Sequence, residues 1–194
     1  MERIERGRDG LRAGPSERSG FSLLELSIAI VVLVIALGSL SGTVVSTTHL
    51  TRTNEQLALA DEAARGMAAT LQVTQFSSIF ATYNGNPLDD PGGPGTAPGP
   101  NFDVRGLNLR NGDPDGMVGR IEFPTVLVGG GPVEQLREDV ENAALGMPRD
   151  LDGDGLDLLD HAPDDYIVLP VSILIEWVGA GGNAVLRLDL VLTE

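Results

Sequence analysis

Five aspartates recur between positions 150 and 160 of this chain. Asp150, Asp152, Asp154, Asp157 and Asp160 stand in the run D-L-D-G-D-G-L-D-L-L-D. Ca²⁺ takes six to eight oxygen ligands, and a D-x-D-x-D-G run can turn three carboxylates toward one point, with Gly155 supplying the sharp turn. Asp164 and Asp165 follow closely enough to add ligands, so the acidic loop is read over 150–165. Structural Ca²⁺ is the expectation here; the alternative is a solvated acidic turn whose carboxylates repel one another. A second kind of carboxylate chemistry sits near the N-terminus, where Glu25 stands at the edge of a long apolar block. A charged carboxylate in lipid costs about 2.5 kcal/mol or more if unpaired, so it calls for a partner. The plainer alternative is an acid at a helix N-terminus, where the helix dipole favours it.

Composition excludes much other chemistry. The 194 residues contain no Cys, which rules out disulfides, zinc-thiolate sites and thiol nucleophiles. All 13 basic residues are Arg, so there is no lysine Schiff base or P-loop lysine. The two His, His49 and His161, are too few for a His-built metal centre, and His49 reads as interfacial and exposed. The formal charge of −15 makes nucleic acid an improbable partner, because most of the surface would repel phosphates. No nucleophile–base grouping emerges, so an enzyme is not expected.

The elements that must position these groups begin with the apolar block. From Leu26 to Val45 no residue is charged, and Ser27, Ser39, Ser41 and Thr43 are its polar side chains. A helix of such length spans about 30 Å of hydrocarbon. A buried core helix and a cleaved secretory signal peptide are the alternatives; the run is long for the second and lacks an A-x-A-like ending. Five Arg precede the block and few basic residues follow it, which puts the N-terminus on the cytoplasmic side by the positive-inside rule.

Gly20-Phe21-Ser22-Leu23-Leu24-Glu25 and the apolar run behind it resemble the type IV prepilin signature: a short basic leader ending in Gly, then Phe-Thr-Leu-Ile/Leu-Glu and a hydrophobic helix. Ser22 replaces the commoner Thr. The resemblance implies that a prepilin peptidase cuts between Gly20 and Phe21, removing residues 1–20, and that the new Phe21 amine is N-methylated. The leader takes five Arg and four acids, leaving eight Arg and 24 acids. The resemblance further implies that Glu25 of one subunit neutralises the Phe21 amine of another, so that pilin or pseudopilin subunits assemble through their helices. The implied place is the inner membrane, as a single-pass protein with an extracytoplasmic head. The implied role is that of a structural subunit, a minor pilin or type II secretion minor pseudopilin. Adhesion and DNA uptake are alternatives within the family, the second weakened by the acidic charge. Outside it, the alternative is a signal-anchored protein with a calcium-binding head that never polymerises.

The expected fold is α+β and pilin-like: one long N-terminal helix packed on a small antiparallel sheet. Residues 21–45 would be its membrane and assembly half. Residues 46–80 would be an amphipathic continuation, with Leu50, Leu57, Leu59, Ala63, Met67, Leu71 and Val73 at roughly helical spacing. Gly38 and Gly42 stand four apart, which suits close helix packing or flexible points in the rod. Residues 81–194 would form the head. Within it, 84–101 reads as a flexible Pro/Gly-rich surface loop. Residues 102–109 and 117–128 read as a hairpin about N-G-D-P-D-G, and 132–145 as a short helix opened by Pro132 and capped by Gly146. Residues 166–178 and 184–193 read as a second hairpin joined by Gly179–Asn183. That last hairpin, with Trp177 before a Gly-rich turn, is similar to the C-terminal hairpin of minor pilins and pseudopilins. The acidic loop resembles EF-hand, dockerin and thrombospondin-type calcium loops at its start. It departs from them afterwards: His161 holds the twelfth EF-hand place, and Asp157 and Asp160 come one residue early for the thrombospondin spacing.

Overall fold

The computed structural model describes residues 20–127, 133–155 and 166–194. The chain is α+β and divides into two compact units, residues up to Val45 and Ser46–Glu194.

Helix α1 covers Leu23–Val73. Ser22 starts it: its Oγ accepts the Glu25 backbone N–H at 3.1 Å, and its carbonyl accepts that of Leu26 at 3.1 Å. S-L-L-E therefore opens as a capped helix start, with the acid three residues after the cap. The hydroxyls of the apolar stretch are satisfied within the helix. Ser27, Ser39, Ser41 and Thr43 each donate to the carbonyl four residues back, at 2.8–3.1 Å. None of these groups then needs water, which is the condition for a helix in hydrocarbon. Every large apolar side chain from Leu23 to Leu50 is at least 51% exposed, fifteen in all. At about 1.5 kcal/mol or more per such side chain, leaving them in water would cost on the order of 20 kcal/mol. One helix near the N-terminus is thus long and apolar enough to cross a membrane.

In the second unit, α1 buries Ala60, Ala64, Ala68 and Leu71, spaced along one face, with Ala63 and Met67 packed beside them. Part of the stripe read from the sequence is corrected here. Leu50, Leu57 and Val73 are 49–85% exposed and Leu59 is 37% exposed. Of that stripe, Leu71 is buried and Ala63 and Met67 pack against the core as read, while Ala60, Ala64 and Ala68 take the inward places that Leu57 and Leu59 were expected to fill. The helix also ends sooner than the sequence suggests. Gln75 turns extended (φ −58°, ψ 124°), and a 3₁₀ turn Phe76–Ser78 leads into the short helix α2, Ile79–Tyr83. Tyr166 ties this junction together: its hydroxyl donates to the Phe76 carbonyl at 2.7 Å and accepts the Phe80 N–H at 3.3 Å. Its ring meets Phe76 edge-on at 4.9 Å. Burial raises the Tyr166 pKa.

The main sheet has the order β1-β2-β5-β6, all antiparallel: β1 Asn101–Phe102, β2 Gly119–Glu122, β5 Val168–Gly179 and β6 Gly182–Thr193. The C-terminal hairpin appears as read, with a tighter turn. Gly179 pairs with Gly182, so two residues, Ala180 and Gly181, make the loop. Leu169, Val171, Ile173, Ile175 and Trp177 of β5 alternate inward and share one buried cluster with the α1 alanines, Ile121 and Phe80.

Two central elements differ from expectation. The hairpin expected over 102–109 and 117–128 shrinks to Asn101–Phe102 against Gly119–Arg120, and the second arm divides at Pro124 into β2 and β3, Thr125–Leu127. Pro124 cannot supply a ladder donor, and the pairing with β5 stops short of it at Glu122. The helix expected over 132–145 is absent among the described residues of that segment. Glu134–Leu136 is strand β4, antiparallel to β3, and Ala143–Leu145 is a 3₁₀ turn. Gly146 still caps that turn in the left-handed region, φ 67°. Pro132 lies outside the described residues. The Pro/Gly segment 84–100 has turns and bends, closed by its own side chains. Asn84 and Asn86 are buried, and their amide oxygens accept the N–H groups of Asn86 and Leu88 at 2.9 and 3.2 Å. The Asp90 carboxylate accepts the Ala97 N–H at 3.0 Å.

Candidate functional site

The N-terminal site is built on the first turn of α1. Phe21 is 84% exposed just before the helix, and Gly20 has open space around it. Glu25, also exposed, stands at the third helical position, one turn from Phe21. Its backbone N–H is taken by Ser22, which leaves the carboxylate at the positive end of the helix dipole. Both readings of Glu25 fit this arrangement: an acid at a helix start, and an acid presented to a partner. Ser22 is the residue sequence reasoning left as a mere departure from a pattern; the S-x-x-E spacing was the signal for its capping role. Of the leader expected over 1–20, residues 1–19 lie outside the described residues.

The acidic site takes a different shape from the one expected. Asp150 and Asp152 come together with Glu138, one carboxylate oxygen of each lying within 4.8 Å of the others. Asp154 is exposed and stands outside this group. Asp157, Asp160, Asp164 and Asp165 lie outside the described residues. Asp150 closes the turn: its two oxygens accept the N–H groups of Gly153 at 2.6 Å and Gly155 at 2.9 Å. These two backbone donors hold its pKa below the ordinary carboxylate value. Gly153 and Gly155 have φ of +84° and +83°, so the turn needs both glycines, not Gly155 alone.

Glu138 is 2% exposed and accepts the Leu151 N–H at 2.7 Å. Sequence reasoning missed it because a helix over 132–145 would have placed it away from Leu136. In extended chain, residues two apart share a face, and Leu136 and Glu138 are buried together. Three converging carboxylate oxygens are the donor type that Ca²⁺ takes, and carbonyls or waters would supply the remaining ligands.

A third feature is an open cavity of about 230 Å³ on the solvent side of the main sheet, lined by Arg110, Arg120, Glu176 and the turn 111–115. Arg110 pairs with Glu176 and Arg120 with Glu122 at 3.4 Å, and Asp113 and Asp115 of the turn add two further acids to the cavity rim.

No protein-family model, no curated protein and no solved structure matches the chain. The fold and the two carboxylate sites define an α+β chain with one N-terminal helix of membrane-spanning length.

Proposed function

We propose that this protein is a structural subunit of a type IV pilus or type II secretion pseudopilus, cut between Gly20 and Phe21 by a prepilin peptidase and assembled through its N-terminal helix. The observation that carries the reading is α1. From Leu23 to Leu50 it exposes its apolar side chains, it satisfies Ser27, Ser39, Ser41 and Thr43 internally, and it holds one carboxylate, Glu25, a turn from Phe21. Cleavage would free an amine at Phe21. Amine and carboxylate are each costly in lipid and less so together. Pairing them between neighbouring copies sets a stagger and drives assembly. The head would then lie outside the cytoplasmic membrane.

The test is Glu25→Gln in the full chain. It should still insert in the membrane and keep Trp177 buried, yet be lost from sedimentable fibres by tenfold or more. Normal incorporation of the Glu25→Gln chain would overturn the reading.

The same reading includes structural Ca²⁺ at Glu138, Asp150 and Asp152, supported by their convergence. At a Ca²⁺ concentration of about 100 times Kd, binding should add about 2.7 kcal/mol to the stability of the unit. The unfolding midpoint, read by Trp177 fluorescence, should rise by several degrees, and the rise should vanish in Asp150→Asn. Equal midpoints in Ca²⁺ and in chelator would remove the ion. In that case the fibre test still decides between a polymerising subunit and an anchored head that stays single.

A further inference from the structure

Strand β6 is an edge strand of twelve residues, and among the described residues nothing pairs with its outer side. The direction of its free backbone groups follows from β5. The N–H groups of Glu176 and Val178 donate to Val118 and Asn108, away from β6. Even-numbered residues of β5 therefore face β2 and odd-numbered ones face β6. Since Glu176 lies opposite Val185, the odd-numbered residues of β6 turn their N–H and C=O groups outward. Natural edges are usually short, bulged or guarded by charges or Pro, and the guards on β6 are Arg187 and Asp189, one of each sign. This one is long and continuous, with Val185 and Val191 at 56% and 50% exposure and the inward row Leu186, Leu188 and Leu190 only half-buried.

The residue pattern of β6 is a palindrome in character about Leu188: N-A-V-L-R-L-D-L-V-L-T. We propose that β6 is a self-association edge, on which a second copy of this chain adds its own β6 antiparallel about a two-fold axis at Leu188. In that register Arg187 faces Asp189 of the other copy, Val185 faces Val191, Leu186 faces Leu190, and Asn183 faces Thr193. The outward backbone groups of one strand meet those of the other, because every pair keeps odd opposite odd. Shifting the axis by one residue places Arg187 opposite Arg187, or Asp189 opposite Asp189, and like charges directly opposite are unfavourable. Within one copy Arg187 already bonds Asp189 at 2.8 Å and lies 3.8 Å from Glu122; this register alone joins two such pairs into a square of alternating charges. The isologous contact also completes the half-buried leucine row on the helix side of the sheet. This inference uses the second unit alone and does not rest on cleavage or on fibre assembly.

The chain has no Cys, so a single introduced Cys is its only thiol. In the full-length protein in membranes, Leu188→Cys would face its own copy across a non-hydrogen-bonded pair, with Cα atoms about 4.5 Å apart, within disulfide range. Val185→Cys and Val191→Cys would each lie about 20 Å from their own copies, six residues away along the strand. Mild oxidation should therefore give roughly ten times more disulfide dimer from Leu188→Cys than from either valine position, although the valines are more exposed. Adding Arg187→Asp to Leu188→Cys should cut the yield about fivefold, and adding Arg187→Asp with Asp189→Arg should restore it to within about twofold. Trp177 emission checks that each variant stays folded. Equal yields at all three positions, no dimer at Leu188→Cys, a cross-link to a different protein, or a charge swap that fails to restore the yield in a folded protein would each overturn the proposal.

Discussion

Replacing Ala64 by Leu tests which face of α1 meets the sheet. Ala64 is 1% exposed, between Ala60 at 0% and Ala68 at 8%, so three added carbons have no free space to enter. Overpacking a filled core costs about 1–3 kcal/mol. The unit from Ser46 to Glu194 has roughly 150 residues. At about 2.1 cal/mol/K per residue, its unfolding entropy is about 0.3 kcal/mol/K, so the loss corresponds to a midpoint lower by about 3–10 °C. The assay is thermal unfolding of the full chain in detergent, followed by fluorescence. Trp177 is the single tryptophan and is 3% exposed, so its emission reports this unit and is blind to the apolar half of α1. Leu57→Ala, at a residue 49% exposed, is the control and should move the midpoint by no more than about 2 °C, the range of an ordinary surface change. If Leu57→Ala proves the more damaging substitution, the helix is rotated from the position described and the alanine seam is wrong.

The remaining expectations concern the sheet and the acidic turn. Gly119→Ala should destabilise the unit by about 1–3 kcal/mol, because the new Cβ would lie 2.3–2.7 Å from three ring carbons of Phe102. The same change made in a Phe102→Ala background should cost less, a non-additivity that chemical denaturation measures directly. For Asp150, backbone donors lower the folded pKa below the unfolded one. Its stabilisation is therefore present above the ordinary carboxylate range and is lost as pH falls through the folded value. In chelator, the stability difference between the natural chain and Asp150→Asn should stay constant from neutral pH to about pH 5, and close only below about pH 4. A difference that instead closes between pH 7 and pH 5 would contradict the hydrogen bonds drawn to Gly153 and Gly155.

The sequence was most legible where one physical demand dominated. An uncharged run from Leu26 to Val45 leaves few options besides a long helix, and α1 starts two residues after Phe21. The β-branched runs around Gly179–Asn183 form the long hairpin for the same reason: strong local propensity and a glycine turn agree. Legibility failed where tertiary packing decided. The α1 seam uses Ala60, Ala64 and Ala68 ahead of Leu71 because the sheet face opposite supplies the bulk in Val171, Ile173 and Ile175, so Leu57 and Leu59 stay outside. Residues 132–145 satisfy a helical spacing on paper, but β3 offers Glu134–Leu136 a ladder, and pairing outweighs weak local preference. That change of element is also why Glu138 joins Asp150 and Asp152, whereas Asp154 does not. A carboxylate list read along one loop cannot show an acid brought in from a separate segment.

The most direct test of the central claim is the intact mass of the full chain extracted from the membranes of cells that carry a prepilin peptidase. The chain should begin at Phe21, lacking residues 1–20 and carrying one added methyl group at its new amine. A chain that keeps its first twenty residues in those cells, with Gly20 still joined to Phe21, would contradict it.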